Sequence, residues 1–306
     1  MFLPVRLTIT KQTFNHLNKL QANLLRKNAN FYFLQLHLSG QEVKRRDVFM
    51  LKKIIYGLGI IFISFILIVI FSIVGHIKAS DFVEAFFSPE VRFALSLSFK
   101  SAIIATGFSL LIGIPVSYGL ARYRFRGKVL IDTLVDLPIV LPPLLSGLGL
   151  LIFFSQTGVG RFINDKVVSI IFSPNGIVIA QFFIATPFVI RTAKAVFETI
   201  DERYEYVAQS LGSTPWESFW RIVLPMAKKG LIASGVLAWA RCIGEFGATL
   251  ILAGATKMRT ETLPIAIFLN ISLGKIELAL AIATLILILS LGTLVSVKIL
   301  GNLQDF

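Results

Sequence analysis

Six long stretches of this chain are nearly free of charged residues, and they constrain its fold more than any other feature. A run of about 20 apolar residues is long enough to cross a lipid bilayer as a helix. Because lipid offers the backbone no hydrogen-bond partner, only helices and closed barrels can span it, and these runs lack the alternating pattern of barrel strands. The sequence therefore predicts an all-α integral membrane protein. Its six predicted transmembrane helices lie at residues 54–74 and at about 93–121, 134–154, 174–190, 230–252 and 276–298.

The composition excludes the common soluble classes. Of 306 residues, 55% are hydrophobic and 15% are charged, whereas about a quarter of the residues in soluble domains are charged. This leaves too little polar surface for a soluble enzyme, a disordered regulator or a disulfide scaffold. The single cysteine, Cys242, excludes an intrachain disulfide and a cysteine-based zinc cluster. His16, His37 and His76 lack the spacing of metal ligands, so the sequence predicts neither a metal site nor a bound cofactor.

The positive charges are distributed unevenly about the predicted helices. The formal net charge is +13, which in a soluble protein would suggest binding to nucleic acid. With the N-terminus placed inside, sixteen Lys and Arg from residue 44 onward fall in inner segments and seven fall in outer segments. Cytoplasmic loops of membrane proteins carry such an excess. The pattern predicts a multi-pass protein of the cell membrane, surrounded by lipid, with both termini in the cytoplasm and no nucleic-acid partner.

Residues 1–49 differ from the rest of the chain. They contain no apolar span, and they lack the single apolar core and small-residue cleavage site of a signal peptide. Because Met50 stands almost directly before the first span, the segment is interpreted either as a mis-called start or dispensable tail, or as a small cytoplasmic extension. The predicted domains are this extension, an additional first helix with its outer loop at 50–90, a core at 91–300 and a tail at 301–306.

The longest charged segment between predicted spans has the pattern of two short helices. Asp201 favours the beginning of the first helix, and Gly212 favours its end. Thr214 and Glu217 form a capping box for the second helix, which is predicted to stop before Pro225. The apolar face of that helix is aromatic, with Trp216, Phe219 and Trp220. Such a face on the water side of the membrane needs a cover, either the spans of the protein itself or a cytoplasmic partner.

This segment, residues 191–229, resembles the cytoplasmic motif of importer permeases of the ATP-binding-cassette class. That motif contains Glu-Ala-Ala, then a glycine, and after nine further residues an Ile and a Leu-Pro pair. The matching residues here are Glu205, Ala208, Gly212, Ile222, Leu224 and Pro225, and Tyr206 and Val207 stand where small residues are usual. The resemblance covers about 91–300. It implies the type I permease fold and a coupling loop for an ATPase, to which we assign these matching residues together with Trp216.

Three further stretches resemble molybdate permease subunits, to which sulfate permeases are closely related. They are residues 136–143 (DLPIVLPP), 244–249 (GEFGAT) and 260–266 (TETLPIA). The GEFGAT form is more similar to molybdate than to sulfate permeases. The resemblance implies import of molybdate or tungstate, with sulfate or thiosulfate as the alternative. It also implies the partners: a second copy of the permease, two cytoplasmic ATPase subunits and an extracytoplasmic oxyanion-binding protein.

No residue is predicted to be catalytic. The chain has no G-x-x-x-x-G-K-[ST] sequence to hold nucleotide phosphates, so ATP and Mg²⁺ are expected on the partner ATPase. An integral-membrane enzyme would need a convergent cluster of His, Asp or Glu at one membrane face, and the sequence suggests none. A passive channel would not need the aromatic cytoplasmic segment. The sequence thus favours an energy-coupled permease over both of these classes.

Polar residues and prolines inside the predicted spans have two interpretations each. Arg241 and Glu245 are four residues apart in the fifth span and can pair. They form either a structural ion pair or part of the anion pathway, because a lone Arg at the centre of a membrane helix costs about 2.5 to 3.5 kcal/mol. Pro138, Pro142 and Pro143 interrupt the third span, where they act either as ordinary kinks or as a gate.

Overall fold

The computed structural model describes residues 45–302, with side chains described for 52–296 except Ala79 and Asp81. All regular secondary structure in this part is helical. The helices are α1 (Arg45–Gly75), α2 (Ala79–Phe87), α3 (Pro89–Arg122), α4 (Lys128–Val140), α5 (Pro143–Gln156), α6 (Gly158–Phe162), α7 (Pro174–Thr199), α8 (Arg203–Ser210), α9 (Pro215–Ser218), α10 (Leu224–Ile243), α11 (Gly247–Ala253), α12 (Leu263–Ser272) and α13 (Ile276–Asn302). Two π-helical turns, Ile163–Val167 and Phe219–Val223, follow α6 and α9.

The structure describes only part of the predicted N-terminal extension and of the predicted C-terminal tail. The predicted extension at 1–49 lies outside the described residues up to residue 44, and 45–49 already belong to α1. Of the predicted tail at 301–306, the first two residues end α13, and the others lie outside the description. The chain divides into two compact units at Ile70, the first containing most of α1 and the second containing the remaining helices.

Five helices of the described chain are long and apolar enough to cross a membrane. They are Lys52–Gly75, Pro89–Arg122, Pro174–Thr199, Pro215–Ile243 and Ile276–Ser296. A sixth crossing results only if α4 and α5, which meet at a bend of 110°, are counted as one span. The predicted all-helical class is therefore confirmed. The predicted spans at 54–74, 93–121, 174–190 and 276–298 each fall on one helix, the span at 134–154 falls on the bent pair, and the span at 230–252 runs past the end of its helix at Ile243.

The bend between α4 and α5 has a clear cause in the sequence. Pro142 and Pro143 lack the N–H groups that would continue the helical hydrogen bonds, and a proline also disfavours helical backbone in the residue before it. Leu141 and Pro142 accordingly have ψ angles of 135° and 134°, which are extended. Pro143 then occupies the first position of α5, where a missing N–H costs nothing.

The fifth predicted span, at 230–252, differs from the prediction at both ends. One continuous helix runs from Pro215 through the π turn Phe219–Val223 into α10, so the prediction that the preceding helix stops before Pro225 is wrong. The widened turn comes just before this proline, which cannot donate a normal α-helical hydrogen bond. At the other end, α10 ends at Ile243, and a short break separates it from α11.

Helices α3 and α7 pack together along most of their length and form the centre of the second unit. The buried face of α3 is made of small side chains, among them Ser98, Ser101, Ala102, Ala105, Thr106, Ser109, Gly113 and Ser117. Small residues let two helix backbones approach closely in a membrane. At Gly113 an added Cβ would lie only 2.6 Å from Cγ1 of Val189 on α7. This packing holds α3 closely against α7.

Candidate functional site

The predicted coupling loop folds as a compact helical hairpin, which we call the coupling hairpin (residues 201–225). Its first helix, α8, ends at a turn in which Gly212 has a φ of +96°, a conformation that favours glycine. The Ser213 N–H donates to the carbonyl of Ala208 at 3.1 Å, and the Gly212 N–H donates to that of Gln209 at 3.0 Å. These bonds close the helix in the manner of a glycine C-cap, so the prediction of a helix end at Gly212 is confirmed.

The capping box predicted for the second helix is present. The Glu217 N–H donates to the Thr214 hydroxyl at 3.2 Å, and the Thr214 N–H donates to the Glu217 carboxylate at 2.9 Å. These hydrogen bonds satisfy backbone donors at a helix N-terminus. Together with the glycine turn, the box gives the hairpin a defined angle between α8 and α9.

The outer face of α8 is apolar and exposed. Tyr204, Val207 and Leu211 follow one another at helical spacing, and we call these three residues the α8 stripe. Leu211 is 82% exposed, and the other two are more than half exposed. All three line one shallow groove of about 640 Å³. Trp216, on the adjoining helix α9, is 68% exposed. An apolar surface of this kind at one end of a membrane protein suits contact with another protein.

The predicted aromatic face of α9 is divided between two environments. Trp216 and Trp220 are exposed, but Phe219 is buried. The Phe219 ring lies 4.6 Å from the ring of Tyr118 on α3, and it also packs beside Phe197 near the end of α7. The protein's own helices therefore cover one of the three aromatic residues. Cover of the other two by a cytoplasmic partner stays a prediction.

The Lys and Arg pattern, which places residues 191–229 in the cytoplasm, predicts that Glu205 points toward the cytoplasm. This prediction is wrong, because Glu205 is buried within the protein. One of its carboxylate oxygens accepts a hydrogen bond from Arg122 Nε at 2.6 Å, and the other accepts one from the Tyr118 hydroxyl. The side chains of Arg122 and Glu205 are 8% and 9% exposed. Arg122 also donates through Nη2 to the carbonyl of Ile200 at 2.9 Å. Glu205 can be buried because a buried carboxylate is stable when hydrogen-bond donors surround it. The end of α3 supplies two such donors, Tyr118 and Arg122.

The other residues of the motif are distributed over the same hairpin. Ala208 is buried, Ile222 and Leu224 are half-buried, and Pro225 is exposed. Ala208 and Ile222 both line the groove beside the α8 stripe. The fold thus brings the two halves of the motif together across the glycine turn, although thirteen residues separate Ala208 from Ile222 in the sequence.

Arg241 and Glu245 are paired at the far end of α10. Arg241 Nη1 lies 2.7 Å from Glu245 Oε2, and the two side chains are 29% and 1% exposed. The second Glu245 oxygen accepts the Ala248 N–H at 2.9 Å, so this carboxylate also caps the beginning of α11. The Arg241 guanidinium stands 5.9 Å from the centre of the Phe188 ring. Because α10 has 20 residues and a helix rises about 1.5 Å per residue, this pair is far from the coupling hairpin.

The proline bend lies against the break that follows Glu245. An added Cβ on Gly247, the first residue of α11, would lie 2.9 Å from Pro143 Cβ and 3.0 Å from the Leu144 nitrogen. A Cβ on Gly147 of α5 would lie 2.8 Å from the Ala248 backbone. Pro138 lies inside α4, away from this junction in the sequence. Two interrupted helices therefore meet at close backbone contact, next to the Arg241–Glu245 pair.

Several charged contacts were not predicted from the sequence. The Asp136 carboxylate on α4 accepts two hydrogen bonds from Arg191 on α7. Arg191 Nε donates to Oδ1 at 2.5 Å, and Nη2 donates to Oδ2. Lys194 Nζ lies 2.6 Å from Asp132 Oδ2 one turn away. Asp132 and Asp136 are four residues apart, and Arg191 and Lys194 are three residues apart. These spacings indicate that one face of α4 carries acids and that one face of α7 carries bases. The sequence could not indicate that these faces meet.

A second unpredicted cluster lies at the opposite end of α3. Lys257 Nζ is 2.5 Å from Glu90 Oε2, and the Asn270 amide donates to the other Glu90 oxygen at 3.2 Å. Glu261 accepts the Met258 N–H at 2.9 Å. Burial raises the pKa of the Glu261 carboxyl, and the neighbouring Glu90 charge adds to the rise. The hydrogen bond from Lys257 to Glu90 raises the pKa of Lys257. These contacts fasten the loop before α12 to the beginning of α3.

Within residues 45–302, no group of three or more His, Cys, Asp or Glu side chains has the arrangement of a metal site. Cys242 is buried and packs among small residues of α3 and α7. The predicted site residues therefore form two separate groups. One group is the coupling hairpin, and the other is the junction of the proline bend with the Arg241–Glu245 pair.

Comparisons with known proteins show the family to which this chain is similar. The family described as "Binding-protein-dependent transport system inner membrane component" matches residues 109–302. The chain is 34% identical, over 249 residues, to the sulfate transport system permease protein of Escherichia coli (strain K12), with 80% of this chain and 90% of that protein covered. It is 37% identical, over 213 residues, to the molybdenum transport system permease protein of Mycobacterium tuberculosis (strain ATCC 25618 / H37Rv), with 69% and 80% covered.

The fold is also similar to that of solved transporters. One is a crystal structure of a bacterial alginate ABC transporter in complex with a periplasmic protein bound to alginate pentasaccharide. The match has a TM-score of 0.56 at 19% sequence identity, and it covers 83% of this chain and 91% of that chain. At this identity the likeness concerns the fold, and it agrees with the permease architecture expected from the coupling motif.

Proposed function

Because this chain belongs to the family of binding-protein-dependent transport system inner membrane components, and is thus a multi-pass permease subunit of an ABC importer, we propose that it carries a tetrahedral oxyanion across the cell membrane. Members of this family are transport subunits, and ATP hydrolysis belongs to separate ATPase components. The chain is therefore not an enzyme. ATP and Mg²⁺ are held by the partner ATPase in this proposal, and this chain binds no cofactor.

The substrate that we propose is molybdate or tungstate. Support comes from the GEFGAT stretch at 244–249 and from the 37% identity to a molybdenum permease. Sulfate or thiosulfate is the second candidate, because the 34% identity to a sulfate permease extends over a longer part of the chain. All of these oxyanions carry two charges that backbone N–H groups, hydroxyls and guanidinium groups can meet. Molybdate and tungstate are larger than sulfate, so cavity size would distinguish them.

The proposed assembly contains two copies of this chain, two cytoplasmic ATPases and an extracytoplasmic oxyanion-binding protein. Dependence on a binding protein is part of the description of the family. The proposed orientation places both termini and the coupling hairpin in the cytoplasm, which the excess of Lys and Arg in the inner segments supports. The loop that contains Lys257 then lies at the outer face, where a binding protein would dock.

The coupling hairpin is the observation that carries this proposal. It presents the exposed α8 stripe and Trp216 at one end of the membrane domain, and its glycine turn and capping box give it a rigid shape. An ATPase docked on this surface would displace the hairpin when it closes on ATP. In the proposed mechanism, that displacement alternately opens the pathway between the two permease copies to either side of the membrane.

The two groups of polar and proline residues inside the membrane have structural or pathway roles in this proposal. The Arg241–Glu245 pair either stabilises the break between α10 and α11 or presents a partly exposed cation to the anion. Pro138, Pro142 and Pro143 either shape the bent pair or allow it to move as a gate. The Arg241–Glu245 pair lies beside the proline bend, so a movement of the bend would also act on the pair.

Reconstitution tests the proposed substrate. The permease, its ATPase and its binding protein are placed in proteoliposomes, and ATP-dependent uptake of radiolabelled molybdate, tungstate, sulfate and thiosulfate is measured for each anion alone. Molybdate uptake is then measured with each of the other three as competitor. We expect tungstate to compete strongly and sulfate weakly. Equal competition by sulfate would shift the assignment to the second candidate, and failure to accumulate any of the four oxyanions would overturn the proposal.

The role of the coupling hairpin is tested separately with Gly212→Asp. The new Cβ would be strained at a φ of +96°, so we expect normal membrane insertion with reduced ATPase co-purification or uptake. Gly119→Ala is the matched control, because an added Cβ there meets no atom within 4 Å. Normal docking together with normal uptake in Gly212→Asp would remove the hairpin from the proposed mechanism.

A further inference from the structure

The coupling hairpin has two faces with different chemistry. The α8 stripe is exposed and apolar. Glu205 lies on the other side of the same helix, and both of its carboxylate oxygens accept hydrogen bonds from side chains of α3. A carboxylate that is only 9% exposed and accepts from two side chains of α3 is largely shielded from a protein that docks from outside. Glu205 therefore faces the membrane helices, while the α8 stripe faces outward.

The contacts of Glu205 gather several elements at one point. Tyr118 and Arg122 lie one turn apart on α3, so they reach the carboxylate from one helix face. Arg122 also donates to the Ile200 carbonyl, which directly follows α7. The Tyr118 ring lies 5.5 Å from the ring of Phe197. The end of α3 thus holds α8 through polar contacts, and the same two residues of α3 also contact the end of α7.

The same tyrosine holds the second half of the hairpin. Its ring packs on Phe219 in the π turn at a centroid distance of 4.6 Å, and Phe219 is buried with Val223 and Phe197 in one apolar cluster. Tyr118 thereby contacts α8 through its hydroxyl and the π turn through its ring. A displacement of either half of the hairpin acts on the same residue of α3.

Helix α3 connects this point with the other end of the molecule. It contains 34 residues, which corresponds to a length of about 50 Å at 1.5 Å per residue. Its beginning is fastened by the contact of Glu90 with Lys257, 2.5 Å apart, and with the Asn270 amide. The helix is thus anchored by charged contacts at both ends, to the coupling hairpin at one end and to the loop before α12 at the other.

We infer that Tyr118 and Arg122 are positioning residues for energy coupling, which hold Glu205 so that a displacement of the coupling hairpin is transmitted to α3. This inference rests on the proposed function and deepens it. Glu205 acts inside the permease and does not contact the ATPase. Docking belongs to the α8 stripe, and transmission belongs to the clasp of Tyr118, Arg122 and Glu205.

The test compares docking with coupling in the assembled transporter. Arg122→Gln, Glu205→Gln and the double variant each remove charge from the clasp, and Tyr118→Phe removes a single hydroxyl while it keeps the ring packing. Tagged permease is purified with its ATPase, reconstituted with the binding protein, and assayed for oxyanion uptake and ATP hydrolysis in the same vesicles. The controls are Glu198→Gln and Arg126→Gln, which change exposed charges near the clasp in the sequence.

We expect the ATPase to co-purify with every variant at the wild-type ratio. Uptake per ATP hydrolysed should fall about tenfold in Arg122→Gln and Glu205→Gln, within the range typical of coupling between two sites. Tyr118→Phe should lower uptake per ATP hydrolysed by a smaller factor. In the double variant of Arg122 and Glu205, this ratio should be no lower than in the less efficient of the two single variants, because both changes break the same contact. The two control variants should keep the wild-type ratio of uptake to hydrolysis.

Hydrogen exchange of the permease alone gives a second measurement that does not depend on transport. In the clasp variants, backbone amides at 203–210 should exchange faster than in the wild type, because α8 has lost its anchor on α3. Lost co-purification with unchanged exchange would overturn the inference and assign Glu205 to direct contact with the ATPase. Unchanged coupling in all clasp variants would overturn it as well. A wild-type complex that imports no oxyanion would contradict the proposed function, whereas the exchange measurement would still decide whether the clasp holds α8.

Discussion

Two buried glutamates of this chain are each paired with an arginine, but the two pairs connect different things. Glu245 and Arg241 are neighbours in one chain segment, and their pair spans the break between α10 and α11. Glu205 and Arg122 come from helices far apart in the sequence, and their pair holds the coupling hairpin on α3. Arg241 is 29% exposed, whereas Arg122 is 8% exposed. The local pair shapes one segment, and the long-range pair joins a surface hairpin to the membrane core.

The largest effect is expected from removing the cation of the long-range pair. Arg122→Ala leaves the Glu205 carboxylate buried without its cation, and breaking a buried pair in this way costs about 3–5 kcal/mol. Denaturant unfolding of the detergent-solubilised protein measures this loss. The double variant with Glu205→Gln should recover part of it. A stability of Arg122→Ala equal to that of Arg126→Ala would contradict the contrast between buried and exposed cations.

The local pair should show a smaller loss. Arg241→Ala is expected to cost about 1–3 kcal/mol, because Glu245 keeps its hydrogen bond from the Ala248 N–H and because Arg241 is partly exposed to begin with. In the same unfolding assay, the double variant with Glu245→Ala should recover part of this loss. If the double variant assembles but fails to transport, Arg241 serves the pathway. A stable and fully active Arg241→Ala variant would dismiss both interpretations.

The junction beside the local pair can be tested with a single added methyl group. Gly147→Ala would place a Cβ 2.8 Å from the Ala248 backbone, and we expect overpacking to cost about 1–3 kcal/mol. Gly149→Ala, on the same helix, is the matched control, because an added Cβ there meets no atom within 4 Å. Unfolding midpoints of the two variants should differ. Equal midpoints would show that α5 and α11 do not pack this closely.

The turn of the coupling hairpin should respond more weakly to an added methyl group. Gly212→Ala has room for the Cβ, so the cost comes only from the left-handed backbone and amounts to about 1–2 kcal/mol. Hydrogen exchange at 203–213 should accelerate, and the rest of the described chain should be unchanged. Identical protection in wild type and variant would mean that the turn can adopt another conformation without loss.

A third buried carboxyl extends the comparison to pH. Glu261 accepts the Met258 N–H and lies beside the carboxyl of Glu90, and burial raises its pKa above the ordinary value of 4.5. A raised pKa means that the folded state retains its proton longer, so this group's contribution to stability is lost as pH rises from that value through the folded pKa. Glu261→Gln should remove this part of the pH dependence, because the amide does not titrate. If wild type and Glu261→Gln lose or gain unfolding free energy equally between pH 4.5 and neutral pH, the raised pKa of Glu261 is contradicted.

The local elements could be read directly from the sequence. Uncharged runs of sufficient length predicted membrane helices, because an apolar environment forces the backbone to bond within one segment. Gly212 and the Thr214–Glu217 pair predicted the turn of the hairpin, since both depend on hydrogen bonds within a few residues. The spacing of Arg241 and Glu245 indicated their pairing for the same reason. In each of these cases, the interacting groups lie within one or two helical turns.

Tertiary structure alone decided which helices supply partners across long distances in the sequence. Arg122 reaches Glu205 across 83 residues, and Arg191 reaches Asp136 across 55. No periodicity encodes such contacts, because they depend on which helix faces pack together. For this reason the sequence suggested that Glu205 faces water, whereas packing turned it toward α3. The helical passage through Pro225 was likewise decided by a π turn, which the proline signal by itself did not reveal.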